Sequence, residues 1–262
     1  MDTNLNSTRV KAPASSKFTR LPPRLSSVAA GAVTSHFLSP PRLSPGPMKC
    51  SDQTHGTALE VTGQITGVAS RMPWLSSLNL RSRIRIACWN VLTLSDIGYQ
   101  TALALVLGAY NIEIACLSET RLPGSGLYKV GAYTLIHSGG CTRVGGVAVM
   151  LSARAAVALV SWRAVSDRIL VVRLKHSHGH LSVISVYAPT EATDADVKDQ
   201  FYTSLLGAIS SVPPHDKLIV AGDFNAVSGS DRSVFGSVVG PFGSGSVGNN
   251  DNSLRFLTLC LH

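Results

Sequence analysis

Residues 218–227 read LIVAGDFNAV, and the fold turns on what this stretch requires. Leu218 to Ala221 form an apolar run of the kind that fills a strand buried on both faces, and Gly222 closes it. Asp223, Phe224 and Asn225 follow with no polar transition, so a carboxylate and an amide must stand at the mouth of a hydrophobic core. A lone Asp-Phe-Asn is most often an Asx turn. This one gains weight because other strands along the chain end in the same way.

The first is RIRIACWN, residues 83–90. Ile84, Ile86 and Cys88 alternate with Arg83, Arg85 and Ala87, the period of a strand with one face toward a core, and the run stops at Asn90. Leu103, Val106, Leu107 and Tyr110 then recur at helical spacing, which predicts a helix from about Gly98 to Tyr110. IEIACLSE, residues 112–119, resumes the strand pattern and ends on Glu119. Downstream, GGVAVML, RILVVRL and HLSVISVYAP read as meandering antiparallel strands, the last stopping at Tyr187, Ala188 and Pro189. A second helix carries Val197, Phe201, Leu205, Ile209 and Val212 on one face, with Thr193 or Asp194 as its N-cap and Pro213 and Pro214 as its stop. After the opening stretch comes a Gly/Ser/Asn-rich loop from Gly229 to Asn252 and a short amphipathic segment, Leu254 to Leu261.

Composition bounds what surrounds this pattern. The 262 residues are 45% hydrophobic and only 15% charged, enough for one sizeable core. The formal charge of +8 is uneven: residues 1–80 hold 8 basic and 3 acidic side chains, the remainder 15 and 12. Residues 1–80, rich in Ser, Pro and Arg, read as a disordered basic tail that cannot bury enough apolar surface to offset chain entropy. Residues 81–262 form the ordered domain. The first fifty residues contain one acid, Asp2, and loosely resemble a mitochondrial transit peptide, but seven prolines oppose the amphipathic helix such a signal needs. Five cysteines, an odd number without metal-type spacing, suggest reduced thiols and an intracellular setting. No run approaches the roughly 20 apolar residues of a membrane span. Basic charge favours a polyanionic partner such as nucleic acid.

Asn90, Glu119, Tyr187, Asp223 and Asn225 thus stand at strand ends, where a sheet fixes the backbone while side chains reach solvent. Two carboxylates can hold a hard cation such as Mg²⁺, or Mn²⁺, through oxygen, with amides and water completing the shell. A phenol can donate to an anion. The combination suits phosphoryl chemistry.

IACWNV (86–91), CLSETR (116–121), SVYAPT (185–190) and VAGDFNA (220–226), in this order and at these separations, resemble the successive motifs of the endonuclease/exonuclease/phosphatase superfamily, the fold of deoxyribonuclease I and of the abasic-site exonuclease III enzymes. SVISVYAPTEATDADVKDQFYTSL (182–205) and the GPFGSG…NDNSLRFL tract are similar to the craniofacial development protein 2-like group and to non-LTR retrotransposon endonuclease domains. The resemblance implies a four-layer α/β sandwich, two mixed β-sheets face to face with helices outside, and Mg²⁺-dependent phosphodiester hydrolysis on DNA in an intracellular, nuclear setting. It assigns Glu119 as metal ligand with Asn90 as its neighbour. It assigns Asp223 to the attacking water, Asn225 to the scissile phosphate and Tyr187 to the growing charge. A catalytically silent remnant or interaction module is the alternative, with a lipid or nucleotide phosphatase as a third reading.

The chain departs from that pattern at its end. The superfamily's closing Ser-Asp-His motif and the Asn/Asp-bearing motif before it are not found, and His262 is the last residue. A truncated member lacking its last strands is therefore expected. Two further clusters invite other readings. HSHGH (176–180) suggests zinc but fits a hairpin turn better. GPFGSGSVG (240–248) suggests a phosphate cradle but lacks the Gly-Lys-Ser/Thr and helix that would make it one.

Overall fold

The computed structural model describes residues 61–64, 78, 83–229, 232–240 and 248–261. The transit-like segment and most of the GPFGSGSVG run lie outside these residues.

Among the described residues, ten strands form two five-stranded mixed sheets. The first sheet contains β2 (Ile86–Asn90), β3 (Ile114–Ser118), β4 (Ser125–Val130), β5 (Tyr133–Ser138) and β6 (Val147–Ser152), in the order β2-β3-β6-β5-β4. The second contains β1 (Val61–Gln64), β7 (Leu159–Ser166), β8 (Ile169–His176), β9 (Gly179–Tyr187) and β10 (Lys217–Asp223), in the order β1-β7-β8-β9-β10. Among these described strands, β2 with β3 and β9 with β10 run parallel and the other pairs antiparallel. Each parallel pair is joined through a helix, as a parallel crossover demands: α1 (Ile97–Ala109) and α3 (Ala195–Ser210). A short α2 (Ala153–Ala156) follows β6, and α4 (Asp251–Leu261) ends the described chain.

Strand alternation explains the layering. In β6, Val147, Val149 and Leu151 face the second sheet, while Ala148 and Met150 face outward toward Leu103 and Leu107 of α1. In β8, Leu170, Val172 and Leu174 face the first sheet, while Ile169 and Val171 join Phe201, Leu205 and Ala208 of α3. Both faces of β3, β5, β6, β8 and most of β9 are buried, so β3, β6 and β8 read as near-continuous apolar runs. The result is helix, sheet, sheet, helix, the four-layer sandwich expected from the motifs. Among the described residues no helix is long and apolar enough to cross a membrane.

Several expectations need revision in detail. GGVAVML is not part of a meander with the two runs after it: β6 inserts between β3 and β5 in the first sheet, where it closes the meander β4–β5–β6, while β7, β8 and β9 meander in the second. Apolar runs identify strands but not their partners. On α3 the buried face is Lys198, Phe201, Leu205 and Ala208, and Val197 is exposed. Ile209 and Val212 pack, partly buried, against the same core as expected, and Lys198 can be buried because its ammonium finds acceptors at the Glu191 carbonyl (2.7 Å) and the Asp251 carboxylate (3.1 Å). Val61–Gln64 and Leu78 fall within the span read as tail, yet the first pairs antiparallel with β7 and the second bridges His176. A four-residue edge strand is invisible in an 80-residue compositional average. HSHGH forms the hairpin between β8 and β9, with His176 paired to Gly179.

Candidate active site

The two parallel pairs place their carboxyl ends at one rim of the sandwich. β2 ends on Asn90 in register with Ser118 of β3, so Glu119 is the next residue out. β10 ends on Asp223 in register with Tyr187 of β9. The Cys88 thiol, beneath Asn90, lies against the backbone of Gly222, which brings β2 and β10 together. Gly222 is required there: a β-carbon on it would sit 2.0 Å from the Val186 carbonyl oxygen. Cys88 and Cys116 are neighbours in register, and burial pushes both thiols up, so they act as small core hydrophobes.

The five residues singled out from the motifs are brought together. The Asn90 amide nitrogen donates to Glu119 Oε1 at 2.8 Å and to Asp223 Oδ2 at 3.0 Å. The Tyr187 hydroxyl donates to the same Glu119 oxygen at 3.1 Å. Asn225 donates its backbone N–H to Asp223 Oδ1 at 2.9 Å and its side-chain amide to the Ala188 carbonyl at 2.8 Å. Asn90 thus bridges two carboxylates from different sheets, and its own Oδ1 accepts the Leu92 N–H at 3.2 Å. It orients the pair with its nitrogen rather than offering it an oxygen.

Glu119 and Asn225 hold left-handed backbone conformations, with φ of 56° and 47°. Leu92, Arg121 and Arg143, on the loops around them, do the same at 60°, 55° and 50°. Such conformations cost of order 1 kcal/mol or more for a non-glycine residue and gather where surrounding structure imposes them for a purpose. At Glu119 the purpose is visible. The turn out of β3 redirects the carboxylate across the sandwich to Asn90 and Tyr187.

The electrostatics are asymmetric. Glu119 Oε2 faces Arg121 Nη2 at 3.8 Å. The Arg168 guanidinium stands 5.0 Å over the Tyr187 ring and donates to the Tyr187 and Ala188 carbonyls at 3.2 and 3.4 Å. Burial, then the neighbouring Glu119 charge, pushes the Tyr187 hydroxyl up to about 12, so it remains a proton-bearing donor near neutrality. Two carboxylates sharing one amide, within an otherwise oxygen-bearing set, form a donor group suited to a hard divalent cation. Among the described residues, no group of three or more His, Cys, Asp and Glu side chains gathers.

Three contributors escape a reading of strand ends. Arg168 sits in the turn between β7 and β8, and nothing in the run DRIL marks it as a partner of Tyr187. Asn250 and Asn252, at the start of α4, donate to the Asn225 carbonyl at 3.0 and 3.5 Å, and Asn252 also donates to the Pro189 carbonyl at 2.8 Å. They clamp the loop that carries Asp223. Their signal was the NNDN cluster ahead of an amphipathic run, which reads as a helix cap. Asn250 Oδ1 does accept the Ser253 N–H at 2.8 Å.

No protein-family model matches the sequence. Over 178 residues the chain is 29% identical to craniofacial development protein 2 of Bos taurus, covering 68% of this chain and 29% of that protein. The counterpart from Tragulus javanicus is 28% identical over the same length, covering 30% of that protein. The chain therefore spans less than a third of the curated relatives it matches. Among solved structures, an AP endonuclease from Leishmania major aligns with TM-score 0.48 at 16% identity, over 75% of this chain and 74% of that one. The endonuclease domain of TRAS1, a telomere-specific non-LTR retrotransposon, aligns with TM-score 0.44 at 13% identity, over 67% and 70%. Over 68% of its length the chain is similar to craniofacial development protein 2, and it is built on the two-sheet sandwich that the order of its motifs implied.

Proposed function

We propose that this chain hydrolyses phosphodiester bonds in nucleic acid, DNA foremost, with Mg²⁺ or Mn²⁺ as cofactor. The observation that carries the reading is the single hydrogen-bonded cluster of Asn90, Glu119, Tyr187 and Asp223, drawn from four strand ends and both sheets. Glu119 and Asp223 would hold the cation, which when bound would polarise a phosphoryl oxygen and the departing oxyanion.

The remaining chemistry belongs to the chain itself. Asn90 keeps the two carboxylates at a fixed separation. Asp223, held by Asn90 and by the Asn225 N–H, would accept the proton of the attacking water. Tyr187, protonated at neutral pH, would donate to a phosphoryl oxygen as charge grows there. Arg168 would favour that charge from behind the ring. The Asn225 amide has a second N–H beyond the one on Ala188, and this would bind the phosphate. A nuclear location and retrotransposon ancestry belong to the same proposal.

The test is plasmid nicking by the purified chain. Mg²⁺-dependent conversion of supercoiled to open-circular DNA, lost in EDTA and in Asp223→Asn, is expected. Nicking that survives Asp223→Asn would refute the assignment. A silent module on the same scaffold is the second reading, favoured by the engagement of Asn225 with a backbone carbonyl rather than an open site. Absence of nicking under every metal condition would select it.

A further inference from the structure

The strands that carry Asn90 and Asp223 to the rim both start at the opposite pole of the sandwich. Cys88 of β2 lies against Gly222 of β10, and both strands run toward the rim, so Arg83 and Arg85, ahead of β2, stand level with Lys217 at the start of β10. Arg154, just after β6, and Lys175, near the end of β8, join them there, because β6 runs antiparallel to β3 and β8 to β9. All five residues are exposed. At about 3.3 Å per residue, the length of these strands sets the pole roughly 20 Å from the cluster at the rim.

With Arg173 the pole holds six cations against two acids, Glu113 and Asp216, whereas the rest of residues 81–262 holds nine cations and ten acids. The excess positive charge of this part of the chain therefore lies at the end away from the candidate active site. Both acids are engaged locally. Glu113 accepts the Arg85 N–H at 2.7 Å and pairs with Arg154, while Asp216 is held by Arg173 and Ser182. Arg85 also donates to the Tyr110 carbonyl at 3.2 Å, the end of α1, where a cation is favoured. Among the described residues, Arg83, Lys175 and Lys217 have no acidic partner. Beside Arg85 an open groove of about 460 Å³ runs between β2 and the end of α1, lined by Trp89, Tyr110 and Ile112, and Tyr110 is 70% exposed.

We infer that this pole is a second binding surface, for single-stranded nucleic acid, with phosphates on Arg83, Arg85, Lys175 and Lys217 and a base against Tyr110 in the groove. Unmatched cations drawn together by folding from four separate segments suit a ligand whose charge repeats along its length, and their attraction is strongest where the rest of the surface opposes it least. The aromatic groove beside them selects the single strand. An unpaired base has a free face to stack on a ring, whereas a base inside a duplex is already stacked and paired. This surface is independent of hydrolysis at the rim, and neither reading needs the other.

The test measures binding in EDTA, so cleavage plays no part. The full chain is titrated with a short labelled oligothymidylate between about 50 and 200 mM salt and followed by fluorescence anisotropy. The double variant Lys175→Ala/Lys217→Ala is expected to lower the slope of log affinity against log salt by about 1.4, or about 0.7 for each lost phosphate contact. Tyr110→Ala is expected to weaken binding about tenfold without changing the slope, since a stacked ring releases no counterion. Tyr110→Phe keeps the ring and should bind as the parent does, and Tyr110→Ala should leave the affinity for a blunt duplex unaltered. An unchanged slope in the double variant overturns the inference. So does a loss in Tyr110→Phe as large as in Tyr110→Ala, or binding that Arg121→Ala at the rim removes and the pole variants leave intact. A chain that binds no oligothymidylate also overturns it, and one that instead sediments with anionic lipid vesicles would assign the pole to a membrane surface. Each of these failures leaves plasmid nicking, the measure of the catalytic reading, to be judged separately.

Discussion

Replacing Tyr187 by Phe removes one hydroxyl, and the structure specifies what should follow. The hydroxyl donates to Glu119 Oε1 at 3.1 Å, and the residue is 8% exposed. A hydrogen bond to a charged acceptor contributes roughly 1.5–3 kcal/mol, so Tyr187→Phe should destabilise the fold by about that much at pH 8. The alkaline limb tests whether burial and the Glu119 charge hold the hydroxyl protonated. Tyr187 is raised in the folded chain to about 12, against about 10 for an unfolded tyrosine. Because the folded value is the higher one, the stabilisation is fully present below pH 10 and is lost as pH rises toward 12. With those two values the loss reaches about 1.4 kcal/mol by pH 11. The phenylalanine variant has nothing to lose at that position, so the gap between parent and variant should narrow by that amount between pH 8 and 11. Tyr202, which burial also pushes up, remains in both proteins and cancels in the difference. Urea unfolding followed by circular dichroism at several pH values measures the gap. A gap independent of pH would falsify the upward shift of the Tyr187 hydroxyl.

Glu119→Ala should abolish Mg²⁺-stimulated nicking while leaving duplex binding in EDTA, checked by gel conversion and fluorescence anisotropy; retained nicking would remove Glu119 from the site. Gly222→Ala should destabilise by more than about 2 kcal/mol, because the new β-carbon meets the Val186 carbonyl in a backbone contact that cannot yield. Thermal melting within a degree of the parent would show that the β9–β10 approach is looser than described. Asp216 accepts both arms of Arg173, at 2.7 and 2.9 Å, and the Ser182 hydroxyl at 2.8 Å, which hold its carboxyl below the ordinary 3.8. That stabilisation is present above the unfolded value and disappears as pH falls through the folded one. Asp216→Asn should therefore cost about 2 kcal/mol at pH 7 and flatten the loss of stability below pH 4, as seen in melting temperature against pH. An acid limb as steep as the parent's would contradict this.

The sequence by itself determined the strands whose apolar runs end abruptly and the polar residues that end them. Asn90, Glu119, Tyr187, Asp223 and Asn225 were legible because a carboxylate or amide directly after a buried run has few local explanations, and because local hydrophobic period is a property of the chain alone. It also determined α1 and α3 to within a residue or two, since helical spacing of Leu103 and Leu107, and of Phe201 and Leu205, is likewise local. Strand pairing is not. Whether β6 lies beside β5 or beside β7 depends on which edges close the best-packed sandwich, and both neighbours offer the same alternation of apolar residues. The edge strand Val61–Gln64 is stabilised by its partner rather than its composition, so nothing near it announces a strand. Arg168 and the Asn250–Asn252 clamp belong to the same class. Arg168 becomes Tyr187's neighbour only when β8 pairs with β9, and the asparagines reach Asn225 only when α4 packs through Phe256 against Phe224. Tertiary structure decided these contacts because each joins residues that are distant in sequence. No short-range pattern encodes such a pair until the two sheets have met.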